Sequence, residues 1–198
     1  MWDGVRLCAL VCFASFGWGM ARHFRREGAP SGALVLSGVL ATVCATAQIA
    51  ALFTRPPLYA RAAIALYLVS CALFWWAAAV TRGKLAACWQ PPVSAAVVVE
   101  GPYRFIRHPF YLAYNLTWVA GLVATGWWPL AVTVVTMAAL YEAAAREEER
   151  SLALGPLATQ YASYKPTAGR YWPRWSAASP IKLLAVKTRQ DRSGQSDA

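Results

Sequence analysis

Charge is what this chain of 198 residues has least of: 14% are Asp, Glu, Lys or Arg, against about 25% in an average soluble domain. Acids are scarcer still, nine against 19 Lys and Arg, and there are only two histidines. Beside 58% apolar and aromatic residues, this shortage argues against a soluble globular enzyme, a disordered chain and a nucleic-acid-binding module, although the net charge of +10 alone would suggest the last. The five cysteines, Cys8, Cys12, Cys44, Cys71 and Cys88, contain no C-x-x-C pair. Neither a disulfide framework nor a zinc site is indicated, and they read as small packing residues. A single histidine pair, His23 and His108, gives haem little support, and no metal is expected. There is no internal repeat, and the polar, basic tail 176–198 is expected to be disordered.

What the chain has instead is long uncharged runs. Gly28–Thr54, Ala62–Thr81 and Pro109–Tyr141 contain no Asp, Glu, Lys or Arg. A bilayer core of roughly 30 Å takes about 20 helical residues, so the third run is long enough for two short spans, broken at Gly126-Trp127-Trp128-Pro129. A further apolar stretch at 5–21 tolerates Arg6 near one end. It also has features of a cleaved signal sequence but lacks an A-x-A cleavage site. The expectation is therefore an all-α integral membrane protein of five spans, at about 5–21, 33–53, 60–80, 109–125 and 128–146, forming one domain over 1–175.

Sixteen of the nineteen positive charges then fall on one side: Arg22, Arg25 and Arg26, then Arg82, Lys84, Arg104 and Arg107, then nine in the C-terminal segment. The positive-inside bias places the C-terminus in the cytoplasm and the N-terminus outside the cytoplasmic membrane. The basic balance is thus a topology signal, with some attraction to anionic membrane lipids and none implied for nucleic acid.

Two polar clusters flank the last apolar run. Before it stand Glu100-Gly101-Pro102-Tyr103-Arg104 and Arg107-His108-Pro109-Phe110-Tyr111; after it come Arg146-Glu147-Glu148-Glu149-Arg150. Taken singly, Pro109 is a helix starter and the acidic run a solvated helix end. Taken together they are not independent. His108 and Glu148 lie nearly equal distances either side of the Gly126–Pro129 turn, and at 1.5 Å per residue an antiparallel hairpin returns them to one height. Arg107, His108 and Tyr111 then meet Glu148 and Glu149 in a polar pocket at the membrane face, an arrangement suited to a polar cofactor and an apolar substrate.

In order and spacing, Gly101-Pro102-Tyr103-Arg104, Arg107-His108-Pro109 with Tyr111, Glu148-Glu149 with Leu152, Tyr161 with Tyr164, and Arg170 with Pro173 resemble the isoprenylcysteine carboxyl methyltransferase and phospholipid methyltransferase superfamily of integral membrane enzymes. The resemblance implies S-adenosylmethionine as methyl donor and a tunnel opening toward lipid. It also implies a cofactor site lined by Val97, Val98, Tyr103, Arg107, His108, Pro109, Phe110 and Tyr111, with Glu148 meeting the cofactor's ammonium. The donor's methionyl end is a zwitterion, which asks for a carboxylate on one side and donors on the other. Glu149 would orient the ribose or face water. The acceptor would be a hydrophobic small molecule or lipid: a lipid amine, an isoprenoid-like or prenylcysteine-like carboxylate, or a thiol. For an amine the candidate bases are Glu148, Glu149 and His108.

The chain departs from the family pattern at three places. Ala113 stands for a common glycine. Gly155-Pro156-Leu157-Ala158 stands where an F-G is expected. Ala144 stands where prenylcysteine-specific members carry an arginine, and losing that clamp weakens the case for a free prenylcysteine carboxylate. The competing reading is a non-catalytic membrane protein, such as a transporter subunit or a redox-linked accessory protein.

Overall fold

The computed structural model describes residues 2–25, 32–81, 85–86 and 97–174, with backbone alone at 23–25 and 85–86. The expected tail at 176–198, and Cys88, lie outside the described residues. Among the described residues there are six α-helices: α1 Trp2–His23, α2 Gly32–Thr54, α3 Ala60–Thr81, α4 Pro109–Thr125, α5 Leu130–Leu154 and α6 Ala158–Tyr164. Two dipeptides, Phe24–Arg25 and Leu85–Ala86, pair in parallel. The fold is all-α otherwise. Among the described residues, three helices, within α1, α2 and α3, are long and apolar enough to cross a membrane. The 17 residues of α4 are apolar but shorter, while α5 runs 25 residues because its acidic second half continues the same helix.

Local chemistry sets these boundaries. Pro109 starts α4, where its missing N–H costs no hydrogen bond. Gly126 ends it in the left-handed region at φ 60°, its N–H closing on the Leu122 carbonyl. A side chain at Gly126 would also strike Leu58, whose own N–H caps the Ala124 carbonyl. This turn returns the chain antiparallel into α5.

The core lies along α4, which packs most extensively on α3. Ser70 of α3 donates to the Ala113 carbonyl at 2.5 Å and meets Thr117 at 2.7 Å. Ala113 is fully buried at this contact, and its small side chain allows the two helices to approach closely. Phe74 sits among Phe16, Phe110 and Tyr114. In contrast, Val35, Val39 and Val43 leave an apolar stripe of α2 exposed, as a lipid-facing helix requires.

Deep in the bundle Gln48 ties α2 to the hairpin. Its amide donates to the Trp118 carbonyl and to Thr133, both at 2.9 Å. Gly121 makes this possible: a Cβ there would lie 1.6 Å from Gln48 Oε1. Gly121→Ala should therefore expel the glutamine and lower stability by about 1–3 kcal/mol through lost buried hydrogen bonds. Thermal unfolding in detergent of Gly121→Ala, Gln48→Ala and the double variant checks this, with strongly non-additive losses expected.

Candidate functional site

The polar clusters meet as the hairpin geometry predicts. Segment 105–108 runs alongside 169–174 and is tied to it through the backbone, with one bridge between Ile106 and Gly169. Arg107 N–H donates to the Gly169 carbonyl at 2.7 Å, His108 N–H to the Arg170 carbonyl at 3.2 Å, and Gly169 N–H to the Phe105 carbonyl at 3.0 Å. Gly169 is required here, since a Cβ would lie 1.9 Å from the Trp172 carbonyl oxygen. This pairing holds the end of the described chain across the mouth of the α4–α5 hairpin.

At the centre is Glu149, 5% exposed. Its Oε1 accepts from Arg107 Nε and Arg170 Nε, both at 3.1 Å, and lies 3.2 Å from His108 Nε2; its Oε2 accepts from Arg170 at 2.8 Å. Burial alone would raise its pKa. Hydrogen bonds from His108 and Arg170, with the Arg107 charge, outweigh that and hold the carboxyl well below the ordinary range. Glu149 therefore does not face water.

Glu148 is differently placed. Tyr111 donates its hydroxyl to Oε1, and His108 Nδ1 lies 3.6 Å from Oε2. Its side chain stays about one third exposed (32%), and no arginine is bonded to it among the described residues. Desolvation raises its pKa, only partly offset by His108 and Tyr111. A carboxylate in that condition is stabilised by an added cation, which fits an ammonium group.

His108 stacks on Tyr111 with centroids 5.5 Å apart, and Tyr111 stacks on Tyr141 of α5, also at 5.5 Å. Tyr103 is buried in a short 3-10 turn, Gly101–Arg104, whose Gly101 has φ 56°; its carbonyl accepts from Tyr164 at 2.7 Å. Burial, then Tyr164 and Glu148, raise the Tyr103 phenol. Val97 N–H meets Gln160 at 3.3 Å, beside the cluster of Val99, Tyr161 and Tyr164. Val98 packs on the main core, and Phe110 packs edge-on against Phe74 at 5.1 Å, directed toward α3. Pro109 is buried at the first turn of α4.

Sequence reasoning gave no role to a second ion cluster. Glu142 accepts from Arg170 at 2.6 Å, Tyr171 at 2.9 Å and Arg146 at 2.8 Å. Arg146 thus pairs with Glu142 four residues before it, rather than with Glu149. Glu142 and Glu149 lie seven residues apart on one face of α5, and Arg170 bridges both. The signal was available in the sequence: Glu142 ends the last uncharged run, seven places before Glu149.

Residues 63–154, spanning α3 to the end of α5, match the model of the isoprenylcysteine carboxyl methyltransferase family. That span contains Arg107, His108, Tyr111, Glu148 and Glu149 but stops before Arg170. No curated protein matches the sequence.

Arg170→Ala should destabilise the protein by about 1.5–3 kcal/mol, because charge-assisted bonds to two carboxylates are lost. Arg170→Lys should recover only part, since an ammonium cannot reproduce the fork. Glu149 adds a pH signature. An unfolded glutamate titrates near about 4.3, so the stability from its depressed folded pKa is fully present above that and is lost as pH falls toward the folded value. Melting temperature should fall across that acid window in the wild type and less steeply in Glu149→Gln.

Proposed function

We propose that this protein, whose residues 63–154 match the model of the isoprenylcysteine carboxyl methyltransferase family, is an S-adenosylmethionine-dependent enzyme that methylates a hydrophobic acceptor within the membrane. The membrane methyltransferase class follows from the family; the cofactor, the five-span topology with a cytoplasmic C-terminus and the residue roles are our reading. The observation that carries it is the asymmetry between the two adjacent carboxylates. Glu149 is saturated by arginines and His108, whereas Glu148 is partly open, raised in pKa and unpaired with arginine.

On this reading Glu148 receives the donor's ammonium, with Tyr111 holding the carboxylate in place. Backbone at 97–98, with Tyr103 nearby, forms the wall for the nucleoside end. His108 has a carboxylate beside each ring nitrogen, leaving neither to face an acceptor, so it positions Glu148 and Glu149 rather than acting as base. Glu149, held strongly acidic, is likewise a poor base and serves as the anchor for Arg107 and Arg170. When bound, S-adenosylmethionine would supply an electrophilic methyl group on a sulfonium, and the part left to these residues is to hold that group in line with the lone pair of an acceptor. Stacked His108, Tyr111 and Tyr141 shield the site and fix its geometry, and positioning with exclusion of water supplies most of what such a displacement needs.

Calorimetric titration of S-adenosylmethionine into the detergent-purified protein tests this. Glu148→Gln should weaken binding by about 1.5–3 kcal/mol, the worth of a charge-assisted bond. Because the free Glu148 carboxyl titrates above its usual range, wild-type affinity should fall as pH is lowered through that raised value, and the Gln variant should show no such step. Equal affinity in the two proteins would remove Glu148 from the site. No binding at all by folded wild-type protein would favour the non-catalytic reading.

A further inference from the structure

Packing alone does not account for two of the cysteines. Cys12 of α1 and Cys71 of α3 lie 59 residues apart in the chain, yet their Sγ atoms stand 2.7 Å apart. That is about 0.7 Å beyond an S–S bond of about 2.05 Å. Both are free thiols, and Cys12 donates to the Tyr67 carbonyl at 3.4 Å, one turn before Cys71. Two thiolates on a shared zinc would each lie about 2.3 Å from it, which sets the sulfurs farther apart than this. Among the described residues no group of three His, Cys, Asp or Glu is placed to hold a metal.

The seam between α1 and α3 fixes the pair in register. The two helices run parallel: Gly4 faces Ile64, Cys12 meets Tyr67 and Cys71, and Phe16 stacks on Phe74. Gly19 makes room for that last contact, since a Cβ there would lie 2.5 Å from the Phe74 ring. Each cysteine stands at the middle of a 22-residue helix, about 15 Å from either end. Cys12 is buried, whereas Cys71 is partly exposed beside Leu68, itself 59% exposed, so the hydrocarbon phase reaches the pair from α3. Beyond the seam, Phe13, Phe16 and Met20 of α1 line a cavity of about 810 Å³. Its far wall is a stripe of α5, Met137, Tyr141 and Ala144, which Glu148 continues one turn on.

We propose that Cys12 and Cys71 are a redox-active pair that closes to a disulfide between α1 and α3, its oxidant a lipid-dissolved molecule of the quinone class. Each thiol gives up one hydrogen, the S–S bond forms, and the quinone takes the two electrons and two protons to become the quinol. Depth selects this chemistry. Thiol–disulfide exchange needs a thiolate, which hydrocarbon strongly disfavours, while a carrier that takes electrons and protons together leaves no charge behind. The soluble thiol pool that keeps cytosolic pairs reduced is likewise kept out of the hydrocarbon. The closed bond fastens α1, which lies outside the family-matched span 63–154, to α3 within it, and so fixes one wall of the cavity. None of this depends on the methyl-transfer reading.

The test uses the full chain in phosphatidylcholine liposomes, treated with a fully ring-substituted benzoquinone, which cannot add to thiols, or with ferricyanide, a charged oxidant confined to water. Non-reducing peptide mapping by mass spectrometry should find Cys12 joined to Cys71, in about tenfold higher yield with the quinone. An uncharged dithiol should break the link. Because the loop closed is long, the oxidised chain should unfold about 5–10 °C above the reduced one, and Cys71→Ser should lose both the link and the rise. Cys8→Ser, one turn from Cys12, should keep both. Thiols at Cys12 and Cys71 that stay alkylatable after quinone treatment, a link from Cys8 to Cys71, or equal yield with ferricyanide overturns the proposal. A link that leaves the unfolding temperature unmoved overturns its role in fastening α1.

Discussion

The Glu149 carboxylate is the constraint around which the rest of the site is arranged. A buried carboxylate is costly unless paired and hydrogen-bonded, and this one draws its partners from two stretches of the chain: Arg107 and His108 before α4, and Arg170 beyond α6. Satisfying it pins segment 105–108 against 169–174 and closes the open end of the hairpin. The apolar helices below supply the mass of the core. The ion cluster supplies its registration, since neutralising one acid from several directions admits few arrangements.

That arrangement leaves the neighbouring acid in a contrasting state. On a helix, consecutive residues point about 100° apart, so Glu148 and Glu149 share His108 between them but otherwise meet different partners. Glu149 turns toward the arginines; Glu148 turns toward Tyr111 and His108, at the top of the stripe that lines the apolar cavity. Two identical side chains thereby acquire opposite pKa shifts, one enclosed by cations and one left partly open.

Much of this was legible from the sequence, for reasons of period and length. Uncharged runs give helices whatever their tertiary neighbours, and the equal distances of His108 and Glu148 from the Gly126 turn brought the two clusters to one height without reference to contacts. What the sequence did not carry was the choice of partner. Arg170 lies beyond α6, and nothing local says that it reaches back to Glu142 and Glu149. The same holds for Glu149, whose readings as ribose ligand or solvated acid depended on a side-chain direction that only the folded hairpin sets. Phe110 shows the limit from the other side: its motif position suggested the cofactor, while its ring packs on Phe74. Gln48 gave no periodic signal, and its importance comes from Gly121, far along the chain, leaving room for it.

The division of α5 also bears on how a charged cluster and an apolar cavity can share one small bundle. Along Glu142 and Glu149 the helix faces arginines, and the charges cancel locally. Along Met137, Tyr141 and Ala144 it faces a cavity lined without charge. The Tyr111 and Tyr141 rings stand where the two regions meet, presenting flat apolar faces to each other while the Tyr111 hydroxyl binds Glu148 and the Tyr141 hydroxyl accepts from Trp118 at 3.2 Å. An aromatic residue with a polar tip suits such a boundary, because ring and hydroxyl are satisfied on different sides of it. Replacing that boundary with aliphatic residues would keep the burial but leave Glu148 without its donor, and replacing it with charged residues would carry the polar cluster's field into the hydrocarbon. The tyrosines therefore do what neither face of α5 does alone: they let a charged site and an apolar slot meet within one helical turn.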